Sequence, residues 1–427
     1  MQARPRGATE PVVDADVDQD AVAAAAPTAD EAAATDVGPR SRRAAELLAR
    51  LRDRLATVLG PARWAIAAYC VSRLLLLAVA SGVAIFGHHP FDEAAARFDG
   101  RWYLLLAEHG YPVTALHAKS TLGFFPLYPL VARTLAWVTT MPVPVAALLT
   151  SLAGGLAAAV LVQRLATGWW GEQAGRRAVL IFCLFPGSVV FSMAYSECLT
   201  LPLAVGCLLA LRSQRWWLAG ILAGLATAVE PVALVLVPVC IVAAVRQIRR
   251  SGWSDPVARR SLAAPLLTPL GIGCLAIFFW IWTGTPFAAY LAQHYGWHQQ
   301  NQPLALLALP VAKHLLSHTG QLISHVLTWN IVNGLLGGVF LVWSIIVLVR
   351  IRRELTAGAL ALPLGIVAVT LWSILTPPNA RMTLIAFPAV IVWGRRLSGY
   401  RFVLFVVVEV VVLLATSALT FSGQMLP

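Results

Sequence analysis

From Trp64 to the last residue the chain alternates between long apolar runs and short basic connections. Eleven runs are apolar enough to be read as membrane spans, each crossing taking about 20 helical residues. They are 64–86, 144–163, 178–194, 197–211, 216–229, 231–245, 262–283, 328–349, 357–375, 380–394 and 402–420. Glu230-Pro231 interrupts one apolar stretch and predicts a hairpin of two short helices there. The stretch 124–140 is also apolar, but Pro126, Pro129 and Arg133 predict an interfacial helix in its place. Upstream the pattern changes. Residues 1–38 are rich in Ala, Asp and Pro, hold eight of the 20 acids and lack apolar periodicity, which predicts a disordered acidic tail. Seven Arg and helically spaced leucines (Leu47, Leu48, Leu51, Leu55) make 39–63 a basic amphipathic segment on the cytoplasmic membrane face. The first apolar run begins only at Trp64, so no cleavable signal peptide is expected. The predicted organisation is a tail (1–38), an amphipathic segment (39–63) and a transmembrane domain (64–427).

Composition agrees. The 427 residues are 59% hydrophobic and 12% charged, with a mean hydropathy of +0.74. Soluble proteins carry about 25% charged residues. A soluble enzyme, a nucleic-acid binder and a disordered protein are excluded; the class is an all-α polytopic membrane protein in the cell membrane. The net charge of +12 therefore reports topology. Arg clusters at 40–63, 164–177, 212–215, 246–260, 350–353 and 395–401 hold 23 of the 32 basic residues. One threading places all of them, and the N-terminus, in the cytoplasm. It leaves 87–143 and 284–327 as long extracytoplasmic loops, and all nine His fall within them. Histidine tolerates polar loops better than lipid, and the same partition fits a polar reaction chamber outside. His294/His298 and His314/His318 are i,i+4 pairs without an acid at ligand spacing, so no metal site is expected. The six cysteines sit in apolar stretches and read as small buried hydrophobes.

Few carboxylates remain for chemistry. From Trp64 onward there are ten acids. Glu172, Asp255 and Glu354 belong to Arg-rich loops, and Glu409 lies within the last run among Val, Leu and Phe. Asp92, Glu93, Asp99, Glu108, Glu197 and Glu230 fall outside or at the outer boundary. Asp99 is distinguished by its context, Phe98-Asp99-Gly100-Arg101-Trp102-Tyr103 followed by Ala107-Glu108-His109-Gly110-Tyr111.

These residues carry a resemblance. The stretch resembles the first external loop of GT-C glycosyltransferases, and more narrowly of PIG-V-type mannosyltransferases that use a polyprenyl-phosphate sugar. That family shows Trp-Asp-x-x-Trp-Tyr, then Ala-x-x-Gly-Tyr, then Phe-Phe-Pro-Leu-Tyr-Pro. Here they are matched by Phe98 to Tyr103, Ala107 to Tyr111 and Phe124 to Pro129. Tyr195-Ser196-Glu197 matches a Tyr-(Ser/Thr)-Glu, Arg381 with Phe387-Pro388 matches a late Arg before a Phe-Pro run, and Gln293 with Gly296-Trp297 is similar too. Phe98 replaces a family Trp. Glu230-Pro231 replaces a family Arg-Pro after the run Leu222-Ala223-Gly224-Leu225-Ala226. Three explanations fit: the family Arg does not hold phosphate, the donor is held differently, or activity has been lost.

The resemblance implies a GT-C-like bundle of about eleven spans, with two long extracytoplasmic loops containing interfacial helices. It implies transfer of a sugar from a polyprenyl-phosphate donor, with inversion, to a hydroxyl of a glycolipid, polysaccharide or protein of the cell envelope. No cofactor is expected. A hydroxyl attacking at neutral pH needs a positioned base, for which Asp99 is the candidate. The leaving phosphate needs cations, for which Arg101 and Arg381 are the candidates. Trp102, Tyr103, Glu108, Tyr111, Tyr195, Glu197, Gln293 and Trp297 are candidate substrate contacts. Arg73, mid-span, either pairs within the protein or reaches a lipid phosphate. Glu197 equally fits a helix N-terminal acid. The rivals are a transferase of another sugar, a lipid-linked-sugar transporter and a degenerate scaffold; no internal repeat of the transporter kind is visible.

Overall fold

The computed structural model describes residues 39–87, 95–298, 325–372 and 378–427, and every regular element among them is helical. The predicted tail (1–38), Asp92, Glu93, and most of the second long loop lie outside the described residues. The chain divides into a unit ending at Gly60 and a unit from Pro61 onward. In the first, residues 39–60 are helical. The candidate site lies in the second.

In chain order the second unit comprises α1 (Ala62–Gly87), α2 (Asp99–His109), α3 (Leu127–Thr139), α4 (Val143–Trp170), α5 (Glu172–Leu184), α6 (Glu197–Arg212), α7 (Trp216–Val229), α8 (Pro231–Ser251), α9 (Pro256–Thr283), α10 (Trp329–Arg350), α11 (Ala361–Leu371), α12 (Ala380–Ile385), α13 (Phe387–Arg396) and α14 (Gly399–Phe421). Within the described residues, each predicted apolar run maps onto one or more helices. The count of eleven crossings is not confirmed: among the described residues α1, α4, α8, α9, α10 and α14 are long and apolar enough, making six. A seventh is reached if α5 and the 3-10 turn Pro186–Ser192, bent from each other by 70°, form one broken span. The break follows from Pro186, which drives Phe185 into an extended conformation (φ −59°, ψ 138°). The 380–394 run likewise splits into α12 and α13. Helix α3, at about 1.5 Å per residue, is shorter than a hydrocarbon core is thick, which suits an interfacial position.

Helices α4, α5 and α6 form the centre of the bundle, with α7 against α6 and α13 against α5. Close approach depends on small residues. A Cβ at Gly154 of α4 would lie 2.3 Å from the Cys198 carbonyl oxygen of α6, so only glycine fits. The peripheral helices show the opposite pattern, with Leu74, Leu77, Val403, Leu404, Val407 and Val411 exposed as expected for lipid-facing positions.

Arg73 of α1 takes the protein-paired alternative. Its Nη1 donates to the Ser188 carbonyl (2.8 Å) and Ser192 Oγ (2.9 Å). Its Nη2 donates to Ser188 Oγ (3.0 Å) and reaches the Cys183 carbonyl (3.5 Å). The Tyr69 and Phe191 rings lie 5.1 and 5.7 Å from the guanidinium carbon. A polar side chain at this depth needs internal partners, and the broken turn after α5 supplies them.

Candidate active site

The site is assembled from the starts of three helices and one break. Asp99 is the first residue of α2, Glu197 the first of α6, Arg381 the second of α12, and Glu230 lies between α7 and α8. An acid in a first helical turn faces the positive end of the helix dipole, so these are positions at which Asp and Glu suit the helix. The residue preceding Asp99, Phe98, has φ +55°, a strained conformation for a bulky side chain that costs about 1–3 kcal/mol and concentrates at functional sites.

Arg381 joins the acids. Its Nη1 lies 2.6 Å from Asp99 Oδ2. Its Nε lies 3.2 Å from Glu197 Oε1, close enough for an ion pair but without hydrogen-bond alignment. The guanidinium carbon sits 5.4 Å from the centre of the Tyr195 ring. The side chain of Glu197 is 3% exposed, that of Arg381 18% and that of Asp99 35%, so Asp99 is the acid an incoming molecule would meet first. Tyr103 donates to Ser196 Oγ (2.7 Å), which reaches Glu230 Oε2 (3.4 Å). Burial, followed by the charge of Glu197, pushes the Glu230 carboxyl up to about 8. It is therefore mainly protonated at neutral pH.

Aromatic rings stand beside this cluster. Trp102 stacks on Phe124 with centroids 6.0 Å apart and meets Trp297 edge-on at 4.8 Å. Tyr103 packs edge-on against Phe124 and Tyr128 at 5.1 and 5.3 Å. The wall is tied by Tyr111 Oη donating to the Phe124 carbonyl (2.7 Å) and Gln293 Nε2 donating to the Gly123 carbonyl (2.9 Å). An apolar cavity of about 660 Å³ lies between α1 and α4 and reaches Ala95, whose carbonyl accepts from the Ala194 amide beside Tyr195.

The candidate residues thus separate. Asp99, Arg381, Tyr195 and Glu197 converge, while Trp102, Tyr103, Tyr111, Gln293 and Trp297 form or brace the aromatic wall. Arg101 and Glu108 do not join the cluster. Two and nine residues along α2 from Asp99, they fall on the opposite side of the helix. Arg101 is exposed, and Glu108 lies 3.9 Å from His109 Nδ1. Glu409 is buried on α14 with neither oxygen hydrogen-bonded among the described residues. Ser196 was not singled out by sequence as a linking residue; its place in the Tyr-Ser-Glu element was the available signal.

Comparisons with known proteins agree with the motifs. Residues 62–251, a little under half of the chain, match the family model described as Mannosyltransferase (PIG-V). The match contains Asp99, Glu197 and Glu230, and ends before Gln293, Trp297 and Arg381. No curated protein sequence matches significantly. Among solved structures, the oligosaccharyltransferase of Archaeoglobus fulgidus in its apo form aligns with a TM-score of 0.46 at 12% identity, covering 84% of this chain and 56% of that one. The same enzyme tethered to an acceptor peptide aligns with a TM-score of 0.42 at 11% identity, covering 84% and 55%. This chain spans about half the length of those structures. The all-helical, multi-span fold is carried by the chain's own helices, and its segment 62–251 is similar to the mannosyltransferase (PIG-V) family, which supports a glycosyltransferase set in a membrane protein.

Proposed function

We propose that the protein transfers a mannosyl residue from a polyprenyl-phosphate mannose to an acceptor hydroxyl, with inversion, on the extracytoplasmic face. The observation that carries this reading is the partly exposed Asp99 carboxylate held 2.6 Å from Arg381 beside an aromatic wall. In the transfer, Asp99 accepts the proton of the acceptor hydroxyl as its oxygen attacks the anomeric carbon. The sugar–phosphate bond breaks on the opposite face, and the phosphate leaves with the bonding pair.

Arg381 has a double role. Without donor its guanidinium balances Asp99 and Glu197. With five N–H donors, it turns part of that capacity to the leaving phosphate as negative charge develops there. As it turns from Asp99 it frees the carboxylate oxygen to take the proton of the acceptor hydroxyl. Trp102 and Trp297 suit stacking of a sugar face, and the apolar cavity between α1 and α4 suits the prenyl chain. Glu230 fits beside a phosphate because burial keeps it protonated, which removes the repulsion that an anion would bring.

The test is transfer by the purified full chain in lipid, using polyprenyl-phosphate mannose, glucose and arabinose in parallel. Mannose transfer with inverted product supports the reading. Selective use of another sugar reassigns the donor, and turnover of none of them rejects the function. Membrane-impermeant labelling of cysteines placed beside Asp99 and within 246–260 tests sidedness; labelling of both from one side rejects it.

A further inference from the structure

A second cluster of charge lies away from the Asp99 site, where three Arg-rich segments meet. The connection between α6 and α7, the last turns of α8 and the segment after α10 enclose a cavity of about 480 Å³. Arg212, Arg246, Arg249, Arg250, Arg352 and Arg353 line it, and among the described residues no acidic one does. Neighbouring basic residues do have acidic partners: Arg176 pairs with Glu172, and Arg395 Nε lies 3.4 Å from Glu354 Oε2. The cavity arginines have no carboxylate partner among the described residues; Arg212 instead donates to the Gly168 carbonyl at 2.6 Å.

Trp216 adds an independent observation. It lines the same cavity, is only 5% exposed, and its buried indole N–H has no acceptor among the described residues. An indole nitrogen can only donate, as can every guanidinium around it. Arginines spread over a membrane-facing loop would satisfy topology alone. These come from segments up to 141 residues apart (212 to 353) and converge on one concavity, where their mutual repulsion is uncompensated. The lining lacks one thing, an acceptor of high negative charge. Leu211, Ala243 and Leu355 complete the wall, and the exposed Ile241, Val242 and Val245 of α8 lie just before Arg246. That strip suits acyl chains running alongside a headgroup seated among the arginines.

We infer that this cavity binds clustered phosphate, presented by the headgroup of an anionic phospholipid. Basic pockets at helix ends recognise such headgroups, and Arg forks match phosphate oxygens bidentately. The inference concerns binding at a place separate from the Asp99 cluster and does not depend on the proposed transfer.

The experiment uses the full chain in nanodiscs of phosphatidylcholine, alone or with phosphatidylglycerol (one phosphate) or diphosphatidylglycerol (two phosphates), and separately inorganic pyrophosphate in detergent. Retained lipid is read by native mass spectrometry and stability by the thermal midpoint. The expected result is several-fold greater retention of diphosphatidylglycerol than of phosphatidylcholine, with a raised midpoint. The preference should fall in Arg249→Gln/Arg352→Gln and persist in Arg401→Gln. Equal retention of all three lipids by the wild type overturns the site, and this arm needs no variant to fold. Equal loss in Arg401→Gln also overturns it, by making the effect general surface charge. A midpoint shift as large with pyrophosphate as with lipid overturns the lipid source.

Discussion

Asp99 and Arg381, 282 residues apart in sequence, meet through a hydrogen-bonded ion pair of 2.6 Å. The start of α2 is thereby joined to the start of α12. Replacing Asp99 by Asn keeps the shape and a hydrogen-bonding oxygen but removes the proton acceptor. Losing a positioned base costs about 10²–10⁴ in rate, so transfer by Asp99→Asn should fall by that factor with expression and donor binding nearly unchanged. Specific activity and yield measured on the same preparation check it; retained specific activity would reject Asp99 as the base.

Arg381 separates charge from geometry. Arg381→Ala strands the buried Glu197 and the half-buried Asp99 without a cation, and breaking a buried pair costs about 3–5 kcal/mol. That variant should be poorly stable. Arg381→Lys keeps the charge on a single ammonium that cannot reproduce the planar fork. It should fold, yet bind donor more weakly than the wild type. Donor titration and thermal unfolding check the two halves, and wild-type affinity in Arg381→Lys would remove the fork from phosphate binding.

Glu230 predicts a pH dependence. Its carboxyl, raised to about 8 by burial and then by Glu197, is neutral below that pH and an anion above it. Because the folded state holds this proton more tightly than the unfolded one, Glu230 weakens stability as pH rises from the ordinary carboxylate range toward 8. Transfer should likewise decline as pH rises through about 8, when a negative charge appears beside the leaving phosphate. Glu230→Gln should keep neutral-pH activity and lose that alkaline decline. A pH–rate profile unchanged by the substitution would show that the ionisation of Glu230 does not reach the reaction.

The cluster was half legible. Asp99 could be found because its motif is local, lying within six consecutive residues, and Arg381 because few basic residues were available outside. Their pairing with Glu197 and Glu230 was not visible, since it depends on where α2, α6, α12 and the α7–α8 break end up in space. Arg101 was misplaced for a simpler reason: adjacency in sequence suggested a shared site, but a helix sends residues two apart to opposite sides. Apolar runs reported burial in lipid or protein equally well, so 178–194 and 380–394 were read as spans. The Phe185-Pro186 break and the split at Ala386 were not recognised as interruptions.

Gly187 couples the bundle to the site. A Cβ there would lie 2.2 Å from the carbonyl oxygen of Ala380, the residue before Arg381. Gly187→Ala must push α12 away or distort the 3-10 turn. Overpacking of this kind costs about 1–3 kcal/mol, and displacement of Arg381 should lower transfer further than the loss of stability explains. Folded fraction and specific activity, measured together, test it; normal activity per folded molecule would mean that the turn yields without moving α12.

The broken turn after α5 makes two irregularities interdependent. Each would be a defect alone: an arginine on an apolar helix, and a break that turns the Ser188 carbonyl and the Ser192 hydroxyl toward that helix. Together, the interruption acts as a solvation shell made of backbone, and the guanidinium acts as the missing hydrogen-bond donor. Neither can be lost gradually. Arg73→Leu would take the guanidinium donor from the Ser188 carbonyl and Ser192 Oγ, and a continuous helix would orphan the cation, so the two changes together should cost much less than the sum of each alone. An intramembrane charge of this kind constrains its neighbours' future substitutions.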